Sequence, residues 1–374
     1  MKGIKRHIYP GGNTPEGFYS YYQYILGQKE ANRIICLKGG PGVGKSTFVR
    51  SVGEHFLDQG EDVDFMQCSS DTDSLDGIVL KGRKIAIIDA TSPHMVDPVN
   101  PGAVDSIIHL GEFWDGEAIK KNKSLVMESN RKIKMWFGYC YNYLKSGASL
   151  YDNLADTYES AIEDGELYKI TAKIVGDELG HKEITLNPGQ LKKYFASGIT
   201  PTGCQHYLKT LIRGYKKIYL LNGPVGLSNQ RMLNIITESA MYRGMDVEAY
   251  YCPMKPETKM EHLLIPDLDM AFLSLNSYHD IELWELDGDG GFSPEIKMVD
   301  MNDMINWNDL EEQQDIIENS RQKLDEMIDN CVKCIAKAKK EHDILENYYI
   351  PNMDFKKIEV LRDEIIGKIE KNVL

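Results

Sequence analysis

Halfway along this chain of 374 residues the sequence begins to restate itself, and any fold proposed for one half must serve the other. The offset drifts only from 183 residues, where Ile34 to Leu37 answers to Lys217 to Leu220, to 186, where Gly12-Asn13-Thr14-Pro15-Glu16-Gly17 answers to Gly198-Ile199-Thr200-Pro201-Thr202-Gly203. Just beyond Leu37, Gly40-Pro41 is answered by Gly223-Pro224. Gly60-Glu61-Asp62-Val63 and Cys68 are answered by Gly244-Met245-Asp246-Val247 and Cys252. Lys84 to Asp89 corresponds to Asp269 to Ser274, and a histidine, His94 or His279, stands five residues past each of those segments. An ordered series of this kind predicts two copies of one lobe, 1–188 and 189–374. They divide where Leu179-Gly180-His181 and Asn187-Pro188-Gly189 interrupt helical patterning.

The first copy carries recognisable chemistry. Arg33 to Leu37 reads as a short apolar strand, and Thr47 to Leu57 has apolar residues at helical spacing. The segment between them, Gly39-Gly40-Pro41-Gly42-Val43-Gly44-Lys45-Ser46, satisfies G-x-x-x-x-G-K-[ST]. Glycines let such a loop fold back so that several N–H groups point inward at a helix N-terminus, where the dipole adds partial positive charge. Lys45 adds a full charge for outer phosphates, and Ser46 offers a hydroxyl to Mg2+. Asp89 ends the apolar run Ile85 to Ile88, read as a buried parallel strand whose carboxyl end lies beside the loop. One carboxylate plus Ser46 and phosphate oxygens suits Mg2+, a hard cation that keeps several waters.

This constellation resembles the P-loop NTPase superfamily, with Gly39 to Ser46 as Walker A and Ile85 to Asp89 as Walker B. The whole layout is similar to a poorly characterised bacterial group of two-lobed ATPase-like proteins. The resemblance implies an α/β fold of tandem three-layer lobes with parallel sheets and long helical extensions. It implies ATP and Mg2+ as ligands, with Gly39, Gly40, Pro41, Gly42, Val43, Gly44, Lys45, Ser46 and Thr47 around the nucleotide and Ser46 and Asp89 on the metal. Asn122-Lys123 continues as Ser124-Leu125 and so does not complete the N-K-x-D element of guanine-binding relatives, which favours ATP. The glutamate that many hydrolysing ATPases place after the Walker B aspartate is replaced by Ala90. Another group must then serve as base, hydrolysis is slow, or the phosphoryl group passes to a small molecule.

Candidates for that role are Asp71, within Ser69 to Asp76, and His94. In the second copy Asp71 is answered by Lys255 and Asp76 by Met260, whereas the histidine persists as His279, which favours a structural hydrogen bond for His94. The second copy also offers Gly226-Leu227-Ser228-Asn229-Gln230 against Gly44-Lys45-Ser46, and Ser274 against Asp89. Lacking both the lysine and the carboxylate, it reads as a degenerate lobe that binds nucleotide weakly or not at all.

Helical extensions are expected over Asp105 to Leu144 and Leu150 to Val175, broken near Ser146-Gly147, then over Asp309 to Tyr349 and from Phe355 to the end. Their charges read as solvated faces, or as a hairpin for a protein partner or for self-association. A net charge of −14 and a pI near 5.2 argue against general nucleic-acid binding. Apolar runs are only strand-sized and residues 1 to 30 lack a signal-type core, so no membrane role and a cytoplasmic location are expected. Seven cysteines fit reduced thiols. A site joining Cys68 and His94 to Cys252 and His279 is the weaker reading against buried thiols. Cys331-Val332-Lys333-Cys334 reads as one helix face, and Asp287-Gly288-Asp289-Gly290-Gly291 as a turn lacking the later glutamate of a calcium loop. The chain therefore reads as an ATP-binding protein with Mg2+-dependent hydrolysis at one site. A small-molecule kinase and a nucleotide-dependent switch are the alternatives.

Overall fold

The computed structural model describes residues 2–94, 96–282 and 293–373; the run Asp287 to Gly291 lies outside them. The strands of the first lobe are β1 (Lys5–Ile8), the hairpin β2 (Gly11–Thr14) and β3 (Gly17–Ser20), β4 (Arg33–Lys38), β5 (Val63–Gln67), β6 (Leu75–Leu80), β7 (Ile85–Asp89) and β8 (Asp105–His109). Its helices are α1 (Lys45–Asp58), α2 (Gly116–Lys120), α3 (Lys123–Ser160) and α4 (Asp164–Leu179). The second lobe repeats the plan with β9 (Leu191–Tyr194), the hairpin β10 (Ser197–Thr200) and β11 (Gly203–His206), and α5 (Leu208–Leu211). It continues through β12 (Lys217–Asn222), α6 (Gln230–Met241), β13 (Val247–Cys252), β14 (Lys255–Ile265), β15 (Met270–Leu275) and β16 (Glu295–Asp300), then α7 (Gln314–Glu346) and α8 (Phe355–Glu370).

The duplication is exact at the level of topology. The first sheet runs β1-β5-β6-β7-β4-β8 and the second runs β9-β13-β14-β15-β12-β16. The sheets are mixed rather than wholly parallel, because β6 and β14 run antiparallel to both of their neighbours. The links decide this. Gln67 to Leu75 and Leu80 to Ile85 are too short for the dozen or more residues that a parallel crossover requires, so the chain reverses.

Pairing register corrects the sequence alignment by one residue. Leu37 lies opposite Asp89 and Gly77 opposite Ile88, while Leu221 lies opposite Ser274 and His262 opposite Leu273. Ile34 therefore corresponds to Ile218, and Gly39, not Gly40, to Gly223. Asp76 corresponds to Glu261 rather than Met260, so the second lobe retains that acid.

The layering also differs from two independent three-layer lobes. Period-2 alternation sends Ile34 and Cys36 of β4 to one core and Ile35 and Leu37 to another. The outer core holds α1 together with Ile358, Ile365 and Ile369 of α8. The inner core is shared: Ile34, Cys36, Ala86 and Ile88 lie in one cluster with Ile218, Leu220, Ala271 and Leu273 of the second sheet. Each sheet thus has helices on one face and the other lobe beyond its second face. Counterparts meet where Tyr9 and Phe195 exchange backbone hydrogen bonds of 3.1 and 3.0 Å, as expected at an approximate two-fold axis.

The arms are exchanged. α3 packs along α7, and α4 goes on to pack against α6 of the second lobe, where Glu178 accepts from Lys217 Nζ at 2.8 Å. Conversely, α8 of the second lobe packs on α1 of the first, with Arg83 donating to the Ile369 carbonyl at 2.9 Å. The expected break at Ser146-Gly147 is absent. α3 runs through it, because Gly147 is where a Cβ would already touch Leu324, Met327 and Met254 at 3.4 Å. The missing side chain allows a close helix crossing, and the turn comes instead between Ser160 and Asp164. Asp105 to His109, expected as helix, is the edge strand β8. Trp307–Gln313 is a 3-10 segment leading into α7.

Candidate functional site

The glycine-rich loop sits where the sequence placed it, between β4 and α1. Gly42 and Gly44 hold φ values of +66° and +85°, a left-handed conformation that side chains disfavour, and this is what turns the loop back on itself. Lys45 stands at the start of α1, with Nζ donating to the Gly39 and Gly40 carbonyls at 3.1 and 2.9 Å. The same ammonium lies 3.6 Å from Asp89 Oδ2 at the carboxyl end of β7, both side chains being about one-seventh exposed. Asp89 Oδ1 accepts the Thr91 amide at 2.8 Å, and the Thr91 hydroxyl donates to the Gly39 carbonyl at 3.1 Å. Ser46 Oγ accepts the Leu75 amide at 2.9 Å, which ties the loop to β6. Val43 is buried beneath the loop, and Thr47 is exposed in the first helical turn.

The second lobe keeps this scaffold and loses the charges. A Cβ on Gly223 would meet Leu227 at 2.7 Å as one on Gly39 would meet Val43 at 2.8 Å, and Gly226 has φ +101° where Gly42 has +66°. In this register Asn229 replaces Lys45 and Ser274 replaces Asp89. They still touch, with Asn229 Nδ2 donating to Ser274 Oγ at 2.8 Å. An ion pair on one side is a neutral hydrogen bond on the other, at equivalent backbone positions.

The acid and histidine candidates separate on inspection. Asp71 takes a hydrogen bond from Ser74 Oγ at 2.9 Å and faces Lys339 of α7 at 3.3 Å. Lys255, its counterpart, pairs instead with Asp152 of α3. The acid-to-lysine exchange is therefore a charge-reversed contact between a loop and an arm. His94 has a neighbour at each ring nitrogen: Nδ1 shares a hydrogen bond with the Tyr22 hydroxyl at 2.9 Å, and Nε2 lies 3.4 Å from Asp76 Oδ1. The histidine and acid stay neighbours in the second lobe, where His279 Nδ1 lies 3.8 Å from Glu261 and Nε2 meets the Ser197 hydroxyl at 2.9 Å, so the pairing belongs to the shared scaffold although the ring nitrogens change roles. Asp76 lies one step beyond the Gly77–Ile88 pair, beside Asp89. Burial raises its carboxyl above the ordinary range, with Asp89 adding to the effect and His94 opposing it. Ala90 is buried and brings no carboxylate to the site.

Two groupings of ligand-type side chains bear on metal binding, Glu261 with His262 and His279, and His342, Asp343 and Glu346 at the end of α7. Glu261, His262 and His279 place ligand atoms within 4.8 Å of one another. However, the Ser274 amide donates to His262 Nδ1 at 3.1 Å, so a neutral His262 carries its proton on Nε2 and has no lone pair left for an ion. Among the described residues no such grouping includes Cys68 or Cys252. Cys331 and Cys334 lie within α7, and Cys331 Sγ faces Cys140 Sγ of α3 at 2.8 Å, across the arm crossing rather than toward a metal.

Sequence reasoning missed what covers the loop. The Gly42 amide donates to Glu346 Oε1 at 3.1 Å, from the last turn of α7. Added Cβ atoms would approach Tyr349 at 3.1 Å from Gly40, Ile350 at 2.9 Å from Gly42 and Phe355 at 3.5 Å from Gly44. Trp114 completes this wall, its ring centroid 6.0 Å from that of Tyr349. Nothing in the local pattern of α7 distinguishes Glu346 from its other charged residues, and only the exchange of arms brings it here.

Compared with protein-family models, curated proteins and solved structures, the chain shows no significant match. Among the described residues no helix is long and apolar enough to cross a membrane.

Proposed function

We infer that the first lobe binds ATP with Mg2+ at the Gly39–Thr47 loop and hydrolyses it there, and that the second lobe does not. The observation that carries this reading is the paired loss in the second lobe, where Asn229 and Ser274 take the places of Lys45 and Asp89 in an otherwise retained scaffold. Two opposite charges vanishing together from equivalent positions is expected when both serve one anionic ligand and its counter-ion. Lys45 would exchange its bonds to its own loop for the outer phosphates, while the inward amides take phosphate oxygens. Ser46 and Asp89 would hold Mg2+, which when bound neutralises charge on the phosphates. Asp76, with its raised carboxyl beside Asp89, is the acid best placed to accept a proton near the site.

The test is ATP affinity and phosphate release with and without Mg2+. Lys45→Ala is expected to weaken ATP binding at least about tenfold, in keeping with the loss of a charge-assisted phosphate contact. Full affinity and turnover in that variant would end this assignment, and label recovered on a small molecule instead of as free phosphate would redirect it to a kinase. A second reading, a nucleotide-dependent switch, is favoured by the contact of the C-terminal arm with the loop at Gly42.

A further inference from the structure

The loop's amide at Gly42 is already engaged by a carboxylate, and that acid comes from the other lobe's arm. Glu346 Oε1 accepts the Gly42 N–H at 3.1 Å. Ile350 and Tyr349, in the next turn, lie against Gly42 and Gly40, and Phe355, at the start of α8, lies near Gly44. The equivalent place over the second loop is taken by an apolar residue, since a Cβ on Gly226 would meet Leu154 Cβ of α3 at 2.6 Å. Carboxylate contact with the loop accompanies Lys45 and Asp89; among the described residues none is recorded at the second loop, where Asn229 and Ser274 replace them.

We propose that Glu346 is an internal competitor for the phosphate: the carboxylate and an incoming phosphoryl oxygen require the same Gly42 N–H, so filling the loop releases the end of the second lobe's arm. This rests on the nucleotide-binding reading above. One N–H donates a strong hydrogen bond to one acceptor, and two anions held in one concavity repel each other. The loop is thus stabilised by an anion of its own, and the apparent affinity for nucleotide is lowered by the fraction of molecules in which Glu346 holds the Gly42 N–H. By reciprocity, a phosphate that displaces Glu346 must loosen the contacts of Tyr349, Ile350 and Phe355 with the loop.

The experiment titrates ATP, and separately inorganic pyrophosphate, into the full chain, its Glu346→Ala and Glu346→Gln variants, and Glu359→Ala. The last removes an exposed acid of α8 as a charge control. Glu346→Ala should tighten both ligands at least about fivefold through removal of the competing state. Glu346→Gln, which keeps an acceptor but loses the charge, should fall between, and Glu359→Ala should stay within about twofold, as expected for an exposed charge. Hydrogen exchange over residues 346–355 should rise when ATP is added to the unaltered chain and stay unchanged in Lys45→Ala. Unchanged or weaker binding in both Glu346 variants, with Lys45-dependent binding by the unaltered chain, overturns the competitor and leaves the nucleotide site standing. ATP binding to neither the unaltered chain nor Glu346→Ala overturns both. Binding that emerges only in Glu346→Ala is the strongest form of support.

Discussion

At the scale of single residues, the two loops behave as an internal control. Lys45 and Asp89 satisfy each other electrostatically in one lobe, and Asn229 and Ser274, both about 5% exposed, do so by a hydrogen bond in the other. Asn229→Lys alone should place an unpaired charge in a dry site and destabilise the protein by about 3 kcal/mol. Adding Ser274→Asp should recover at least half of that, measured as a double-mutant cycle in denaturant unfolding. Additive losses would mean that the retained scaffold no longer brings the two positions together. The sequence displayed the loop, Lys45 and Asp89 because their chemistry demands a fixed local spacing. It misassigned the partner of Asp76 because the second lobe has one residue more from the start of β13 to Glu261 than the first has from the start of β5 to Asp76, and only pairing register places that extra residue.

At the scale of elements, the arms hold the molecule together by polar as well as apolar contacts. Glu178 of α4 is nearly buried on the second lobe, where burial raises its carboxyl but Lys217, Tyr219 and Lys297 outweigh that and hold it down to about 2. Because the folded value lies below the unfolded value near 4.5, the stabilisation is complete above about pH 4.5 and is lost as the pH falls toward 2. With allowance for screening around the lysines it amounts to roughly 2 kcal/mol. Glu178→Gln should flatten the acid limb of a stability-versus-pH curve over that window, and an unaltered limb would show that the cluster adds nothing. Helix existence was legible from apolar spacing, as the end of α7 near Pro351 and the start of α8 at Phe355 show. The path of α3 through Gly147 was not. A glycine in an isolated helix is a weak point, but opposite Leu324 and Met327 it is the site of closest approach.

At the scale of the whole molecule, the two lobes resemble a dimer drawn in one chain: sheets facing a shared core, Tyr9 against its counterpart Phe195, and arms exchanged. The exchange makes a prediction that independent lobes would not. Ending the chain after Met353 removes Ile358, Ile365 and Ile369, all nearly buried, from the outer core of the first lobe. The loss should be on the order of 5 kcal/mol, with faster hydrogen exchange in α1 and little change in α6. Faster exchange confined to α6 would contradict the exchange of arms. Arg6 reinforces the same joint, bonded to Asp64 of its own lobe at 2.7 Å and to Glu248 of the other at 3.0 Å.

What the sequence by itself determined was local and repeated: the loop with its lysine, the aspartate at a strand end, the duplication, and the loss of both charges from the second copy. These follow from short-range geometry, since the glycine-rich turn, Lys45 and Ser46 are consecutive in the chain and Asp89 ends its own strand. What only the tertiary structure decided was which surfaces meet. The reversal of β6, the shared core between sheets, the role of Asp71 as a partner of Lys339 and the seating of Glu346 on Gly42 all join residues far apart in sequence. An amphipathic helix specifies that its apolar face must be covered, and packing between lobes chooses what covers it.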